Sequence, residues 1–233
     1  MTPHLILWDI DHTLIETRGV GGQIYAKAFT QVTGHPLLTM PELAGRTEPV
    51  IFRDALTVSG IEAHEGLYEL FAAAQARGYA DQLDDLQRRG RALPGAVEAL
   101  RALSKRNDVT QTVLTGNTRP ASEIKLQAFG LDEYLDFDIG AYGTDDDVRA
   151  NLVGVARQRA EEAHGQDYET HRTVLVGDTL NDVAAALKGG ARIVAVATGN
   201  DTAAELAAAG AGTVLADLTD TSAVLSAIFG GHE

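Results

Sequence analysis

The sequence contains no cysteine in its 233 residues. This excludes disulfide bonds, thiol nucleophiles and thiolate metal sites, so any metal must be bound by oxygen or imidazole ligands. No apolar run approaches the length of a membrane span, and the first residues lack the basic and apolar segments of a signal peptide. We therefore expect a cytoplasmic protein with no membrane partner.

Positive charge is also scarce. The chain has 19 lysine and arginine residues against 33 aspartate and glutamate residues, which gives a formal net charge of -14. This balance argues against nucleic acid or an anionic membrane as a partner. A phosphorylated small molecule would need local positive charge at its site, which a bound metal cation can supply. Nothing in the sequence indicates an oligomeric state.

Short apolar segments alternate with helical patterns along most of the chain. The predicted strands cover residues 5–8, 109–115, 137–139, 173–176, 193–196 and 213–215. The predicted helices between and after them include residues 119–129, 148–164, 181–188, 202–209 and 221–229. Strands that alternate with helices predict an α/β fold with a Rossmann-like, doubly wound parallel sheet.

One long stretch does not follow this alternation. Residues 34–92 contain no convincing strand, and helical patterns cover residues 23–33, the segment that follows Thr47, and residues 65–90. Thr47 is a predicted helix cap, with Pro49 in the first turn. We predict an α/β core domain made of residues 1–16 and 93–233, interrupted by an all-helical cap domain over residues 17–92.

Carboxylates follow two of the predicted strands. Asp9 and Asp11 end the first strand, Asp178 follows the strand at 173–176, and Asp182 lies four residues later at a helix start. Ligands of open α/β sheets bind at the carboxyl ends of the strands, where these side chains would meet. Such an oxygen-rich cluster suits Mg²⁺. The simpler alternatives are a strand-ending turn at Asp9 and a helix-dipole contact for Asp182.

Three further sets of residues are candidates for the site. Thr115, Gly116 and Asn117 follow the second long strand, where Gly116 lets backbone amides approach closely. Lys125 lies in the helix that follows, and it is one of only four lysines. Arg46, beside Gly45, is our candidate for contacting an anionic leaving group. The alternatives are a plain turn, a solvated helix lysine and a surface arginine, respectively.

Taken together, these segments resemble the motifs of the haloacid dehalogenase superfamily. Its pattern of Asp-x-Asp-x-Thr, Thr or Ser, Lys, and Gly-Asp with a following Asp matches Asp9-Ile-Asp11-His-Thr13, Thr115, Lys125 and Gly177-Asp178-Thr-Leu-Asn-Asp182. Ala44-Gly-Arg-Thr-Glu-Pro and Val113-Leu-Thr-Gly-Asn are similar to its phosphoglycolate phosphatase-like branch. The helical insertion lies where the family carries its C1 cap. One departure is His12, where most relatives have glycine.

The resemblance implies a Mg²⁺-dependent phosphatase that acts on small phosphorylated metabolites. Asp9 would be the nucleophile and Asp11 the general acid and base, while Thr115 and Lys125 would stabilise the transferring oxygens. Asp9, Asp178 and the main-chain carbonyl of Asp11 would bind the metal, with Asp182 in support. Thr13, Gly116, Asn117 and Arg46 would contact the substrate. The alternatives are a phosphomutase of the β-phosphoglucomutase type and a non-catalytic binding module with the same fold.

Overall fold

The computed structural model describes residues 3–230 of the chain. Within these residues the strands are β1 (His4–Trp8), β2 (Ile15–Glu16), β3 (Arg91–Ala92), β4 (Val109–Val113), β5 (Thr173–Gly177), β6 (Arg192–Val196) and β7 (Thr213–Leu215). The helices are α1 (Val20–Thr33), α2 (Glu48–Val58), α3 (Leu67–Asp81), α4 (Leu83–Arg89), α5 (Ala96–Ser104), α6 (Arg119–Gln127), α7 (Arg149–His164), α8 (Leu180–Gly189), α9 (Ala203–Ala208) and α10 (Thr221–Phe229).

The main sheet is parallel and has the strand order β4-β1-β5-β6-β7. Side chains of β1, which lies between β4 and β5, alternate between the two faces of the sheet. Ile6 and Trp8 pack with α5 and α10 on one face, and Leu5 and Leu7 pack with α7 and α8 on the other. Both faces of the sheet are therefore covered, and the prediction of a doubly wound α/β fold is confirmed.

The four helices α1 to α4 lie between the short strands β2 and β3, which pair antiparallel to each other. Phe29, Phe52 and Phe71 form an apolar cluster of their own within these helices. A second cluster joins Val20 and other residues of the insertion to α6. The insertion is therefore helical with its own core, as expected, whereas its division from the rest of the chain at residues 17 and 92 stays a prediction.

The structure differs from the sequence prediction in two places. Residues 137–139 do not form a strand, because the chain turns there and only Leu114 and Ala141 make a single bridge beyond β4. The strands β2 and β3 were not predicted, because two residues are too few to show an alternating pattern. Among residues 3–230, no helix combines the length and the apolar character that crossing a bilayer requires.

Candidate active site

Three buried carboxylates meet at the carboxyl edge of the sheet. Asp9 directly follows β1, Asp178 directly follows β5, and Asp182 lies in the first turn of α8. One oxygen of each lies within 4.8 Å of the others. Asp9 is 7 % exposed, Asp178 2 % and Asp182 0 %. The parallel pairing of β1 with β5 brings the two strand ends together, as the sequence predicted.

Arg149 lies between these carboxylates. Its Nη2 donates to Asp9 Oδ1 at 2.5 Å and to Asp182 Oδ1 at 2.7 Å, and its Nε donates to the same Asp182 oxygen at 3.0 Å. Arg149 is the first residue of α7 and is itself only 8 % exposed. Sequence reasoning left this residue unassigned, although it is the only basic residue between Lys125 and Arg157.

The cluster carries more negative than positive charge. Burial raises the pKa of Asp9, and the neighbouring acids add to this while Arg149 opposes it. Burial also raises the pKa of Asp178, and the charge on Asp9 adds to that increase. Three carboxylates against one guanidinium leave a deficit of positive charge in a buried place, which is costly. A divalent cation with oxygen ligands fits this donor set.

Asp182 and Asp178 are oriented by hydroxyl groups. Thr179 donates from its hydroxyl and its backbone amide to Asp182 Oδ2, at 2.6 and 3.1 Å. Thr13 donates to Asp178 Oδ1 at 2.9 Å. Thr13 is fully buried and is not among the described residues that line the cavity. Thr13 thus contacts Asp178, and its predicted contact with the substrate stays a prediction.

Asp11 lies in a second network. Lys125 Nζ donates to both of its carboxylate oxygens at 2.7 and 3.0 Å, and Asn117 Nδ2 donates to Oδ2 at 2.8 Å. The same amide also donates to Thr115 Oγ1, and its oxygen accepts from Lys125 at 2.7 Å. Burial would raise the pKa of Asp11, but the charge of the Lys125 ammonium and the hydrogen bonds from Lys125 and Asn117 together hold the pKa below its ordinary value.

His12, the departure from the family pattern, has a left-handed backbone conformation with φ of 64°. A residue with a side chain adopts this conformation at a cost of about 1 kcal/mol, which explains why glycine suits the position. The loop holds it in place, because the His12 amide donates to the Ile15 carbonyl at 2.8 Å and its own carbonyl accepts from Thr198 Oγ1 at 2.6 Å. Histidine at position 12 is therefore compatible with the conformation of the loop between Asp11 and β2.

A cavity of about 580 Å³ lies over this edge of the sheet, with the helical insertion as its opposite wall. The Glu48 amide donates to the Gly116 carbonyl at 2.8 Å, and Asn181 Nδ2 donates to the Ala44 carbonyl at 2.8 Å. A Cβ atom on Gly116 would lie 1.9 Å from the Arg46 carbonyl oxygen. Glycine at 116 is therefore required for the insertion to lie this close to the sheet.

Arg46 lines the cavity, but its guanidinium is already paired. Its Nη2 donates to Asp54 Oδ2 at 2.6 Å, and its Nη1 donates to the Glu42 carbonyl at 3.1 Å. These two bonds use two of the five N–H donors of the guanidinium. Its predicted role in contacting an anionic leaving group stays a prediction.

Glu48, which sequence reasoning missed, lies in the cavity wall at the start of α2. Burial raises its pKa to about 7 against the opposing effect of Lys125 and of the hydrogen bond from Gln75. The unfolded chain ionises this group near 4.5. Between these two values the folded protein binds more protons than the unfolded chain, so the free energy of unfolding falls as the pH rises.

We expect Glu48→Gln to remove this pH dependence. Relative to the wild type, the free energy of unfolding of the variant should increase by about 2 kcal/mol between about pH 5 and about pH 8. Urea unfolding at both pH values, with chelator present, measures the change. Glu69→Gln is the control, because Glu69 also lies in the first turn of a helix but is exposed. If the free energies of unfolding of Glu48→Gln and wild type differ by the same amount at both pH values, the result would contradict a raised pKa for the buried Glu48 carboxyl.

Comparisons with known proteins identify the family of the chain and structures of similar fold. A family model for haloacid dehalogenase-like hydrolases matches residues 6–187. No curated protein sequence matches the chain closely enough to count as a relative. A hydrolase from Pseudomonas syringae has a similar structure with a TM-score of 0.70 at 22% identity, and the match covers 97% of this chain and 99% of that one.

Two further structures are similar. A predicted phosphoglycolate phosphatase from Haemophilus somnus has a TM-score of 0.68 at 19% identity, with 97% of this chain and 99% of that one covered. A candidate β-phosphoglucomutase from Bacteroides vulgatus has a TM-score of 0.66 at 16% identity, with 98% and 91% covered. At these identities the similarity establishes the fold.

Proposed function

The chain belongs to the haloacid dehalogenase-like hydrolase family, and on that premise we propose that it hydrolyses small phosphomonoesters through a phosphorylated Asp9. The proposal rests on one observation, which is that the two carboxylates that follow β1 have different partners. Asp9 has Arg149 on Oδ1, and no donor among the described residues reaches its Oδ2. Asp11 is paired instead with Lys125. One carboxylate is thus free to attack, and the other is positioned to carry protons.

The excess negative charge of the acidic cluster supports a divalent cation, and we propose Mg²⁺. Asp9 and Asp178 would hold it with the main-chain carbonyl of Asp11, because both Asp182 oxygens are already engaged by Arg149 and Thr179. When bound, the cation would neutralise charge between the Asp9 carboxylate and the phosphate dianion so that they can approach each other. Asp182 would then act by holding Arg149 in place.

In the first step we propose that Asp9 Oδ2 attacks phosphorus as the bond from phosphorus to the ester oxygen breaks. Arg149 holds the attacking carboxylate in one orientation through Oδ1. Asp11 gives a proton to the departing alkoxide. The resting Asp11 is ionised beside Lys125, so it takes up a proton from solvent when the ester binds. The phosphate dianion favours this uptake, because a nearby like charge raises the pKa of a carboxyl group.

In the second step Asp11, now ionised, removes a proton from water. The water oxygen bonds to phosphorus, and the bond from phosphorus to Asp9 breaks, which gives inorganic phosphate and the free carboxylate. Asn117 and Lys125 hold Asp11 from two sides in both steps. Thr115 orients the Asn117 amide, and the backbone amides near Ile10 and Gly116 would stabilise charge on the transferring oxygens.

Release of inorganic phosphate from a panel of phosphomonoesters tests this function. The panel contains an aryl phosphate, a sugar phosphate, a nucleoside monophosphate and phosphoglycolate, each assayed with Mg²⁺ and with chelator. Metal-dependent release from several esters, with no isomerised product, supports a phosphatase. An isomerised sugar phosphate would indicate a phosphomutase, and no reaction by the folded protein would favour a binding module.

Binding of the cation should also stabilise the folded protein. Adding Mg²⁺ at about 100 times its dissociation constant should increase the free energy of unfolding by about 2.7 kcal/mol and raise the melting temperature by several degrees. Asp178→Asn should abolish the shift. Asp201→Asn should retain it, because Asp201 lines the same cavity but lies outside the acidic cluster. A shift of equal size in Asp178→Asn would place the cation elsewhere.

A further inference from the structure

The insertion side of the cavity contains polar groups that the proposed chemistry does not use. Glu48, Gln75, Tyr25 and Tyr79 line the cavity from helices α1, α2 and α3. Gln75 Nε2 donates to Glu48 Oε1 at 2.9 Å. The Tyr25 hydroxyl and the Gln75 carbonyl oxygen are buried and have no hydrogen-bond partner in the described part of the chain. Such groups are costly to bury unless a ligand pairs with them.

This polar wall adjoins the Asp11 network, where the leaving group of the proposed reaction would depart. Lys125 Nζ, which contacts Asp11, also lies 5.2 Å from the centre of the Tyr79 ring. Gln75 and Tyr79 are four residues apart on α3 and therefore share a face of the helix. The Glu48 carboxylate is near enough to raise the pKa of Tyr25 beyond the increase that burial causes. A leaving group that extends past Asp11 meets these side chains.

Gly21 shapes the same wall. A Cβ atom at this position would lie 3.0 Å from the Tyr79 hydroxyl oxygen and 3.1 Å from Thr17 Oγ1. Glycine here keeps the Tyr79 hydroxyl beside α1 with no side chain between them. A cavity of about 580 Å³ leaves room for a leaving group of sugar or polyol size beside the phosphate.

The charges that face the cavity are unfavourable for an anionic leaving group. Among residues 3–230, the basic side chains that line the cavity besides His12 are those of Arg46, Lys125 and Arg149. Each of these three is paired with a carboxylate. Glu48 lies in the wall, and above its pKa of about 7 its negative charge would repel a second carboxylate or phosphate. The groups that lack partners are a phenol hydroxyl and an amide carbonyl, which pair well with hydroxyl groups.

We infer that the wall formed by Tyr25, Glu48 and Gln75 selects phosphomonoesters whose leaving group is uncharged and carries hydroxyl groups, as in a sugar or polyol phosphate. The inference rests on the proposed phosphatase function and narrows its substrate class. When the ester binds, the Tyr25 and Gln75 side chains turn their buried, unpaired oxygens toward the cavity. The hydroxyl groups of the leaving group then donate to Gln75 and Glu48 and exchange hydrogen bonds with Tyr25. Esters whose leaving group bears a carboxylate, such as phosphoglycolate, are selected against.

A matched pair of esters tests this selection. Glycerol phosphate and phosphoglycerate differ only in that a carboxylate replaces the terminal CH₂OH group. At about pH 8, above the pKa of Glu48, we expect kcat/KM with Mg²⁺ to favour glycerol phosphate by at least about tenfold. This ratio should fall by about tenfold in Tyr25→Phe, which removes one hydrogen bond. Glu48→Gln should lower the ratio chiefly by improving phosphoglycerate turnover, because the repelling charge is lost.

Tyr68→Phe is the control variant. The Tyr68 hydroxyl is also buried and without a partner among the described residues, but Tyr68 does not line the cavity. Its removal should leave the ratio at the wild-type value. A wild-type ratio of one or below, with both esters turned over, overturns the inference and leaves the phosphatase function standing. Failure to release phosphate from any ester, an aryl phosphate included, overturns both.

Discussion

Asp9→Asn should reduce phosphate release by roughly 10,000-fold or more, because the amide cannot supply the attacking oxygen. The loss should be the same for every ester, whatever its leaving group, since in the proposed mechanism Asp9 attacks phosphorus. Steady-state assays with Mg²⁺ measure it. The folded structure should persist, because the substitution removes one of three crowded carboxylates and preserves the shape of the side chain. Full activity in Asp9→Asn would end the proposed mechanism.

Asp11→Asn provides the matched comparison. It should slow release of an alkyl alcohol by about 100- to 10,000-fold, because no group then protonates the departing oxygen. With an aryl phosphate, whose leaving group needs little protonation, the rate of the first step should fall by a smaller factor. The stabilisation by Mg²⁺ should remain, since the side chain of Asp11 lies outside the acidic cluster. The first-turnover burst of alcohol release reports the first step alone, and an equal loss of its rate for alkyl and aryl esters would contradict the role of Asp11 as the acid.

Arg149→Met should produce the largest loss of stability. It leaves Asp9, Asp178 and Asp182 buried together without the cation that pairs with two of them, and breaking such a pair costs about 3–5 kcal/mol. The loss should be greatest near pH 8 and smaller near about pH 5, because buried carboxylates without a cation have raised pKa values and take up protons. Urea unfolding with chelator at both pH values measures this dependence.

Two comparisons separate charge from packing in this result. Arg149→Lys keeps the positive charge but loses the forked contact to both aspartates, so it should cost less than Arg149→Met. Arg157→Met removes an arginine from the same helix that makes only long contacts at 3.5 Å, and it should change stability little. Equal losses in Arg149→Met and Arg149→Lys, unchanged by pH, would show that the charge of Arg149 is not what stabilises the cluster.

The strand-end carboxylates could be predicted because two regularities combine at them. Residues 5–8 and 173–176 are apolar runs that end in Asp9 and Asp178, and parallel strands bring such ends to one edge. The pattern of apolar segments, together with the aspartates that follow two of them, therefore predicted both the fold and the acidic cluster. The family resemblance, confirmed by the family model, supplied their proposed roles.

The partners of these carboxylates were harder to predict. Arg149 begins a helix after a turn that contains no strand, so no apolar run marked it as lying at the sheet edge. The sequence associated Lys125 with the transferring oxygens, whereas in the structure its ammonium pairs with Asp11. Glu48 and Gln75 meet only because α2 and α3 pack together. Such pairings depend on tertiary packing, which local patterns do not encode.

The stereochemistry of the reaction at phosphorus tests the central claim most directly. A phosphorothioate ester made chiral with oxygen isotopes is hydrolysed in isotopically labelled water, and the configuration of the thiophosphate product is determined. Transfer first to Asp9 and then to water inverts phosphorus twice, so the account predicts overall retention. Overall inversion would mean that water attacks the ester directly, and it would contradict a phosphorylated Asp9.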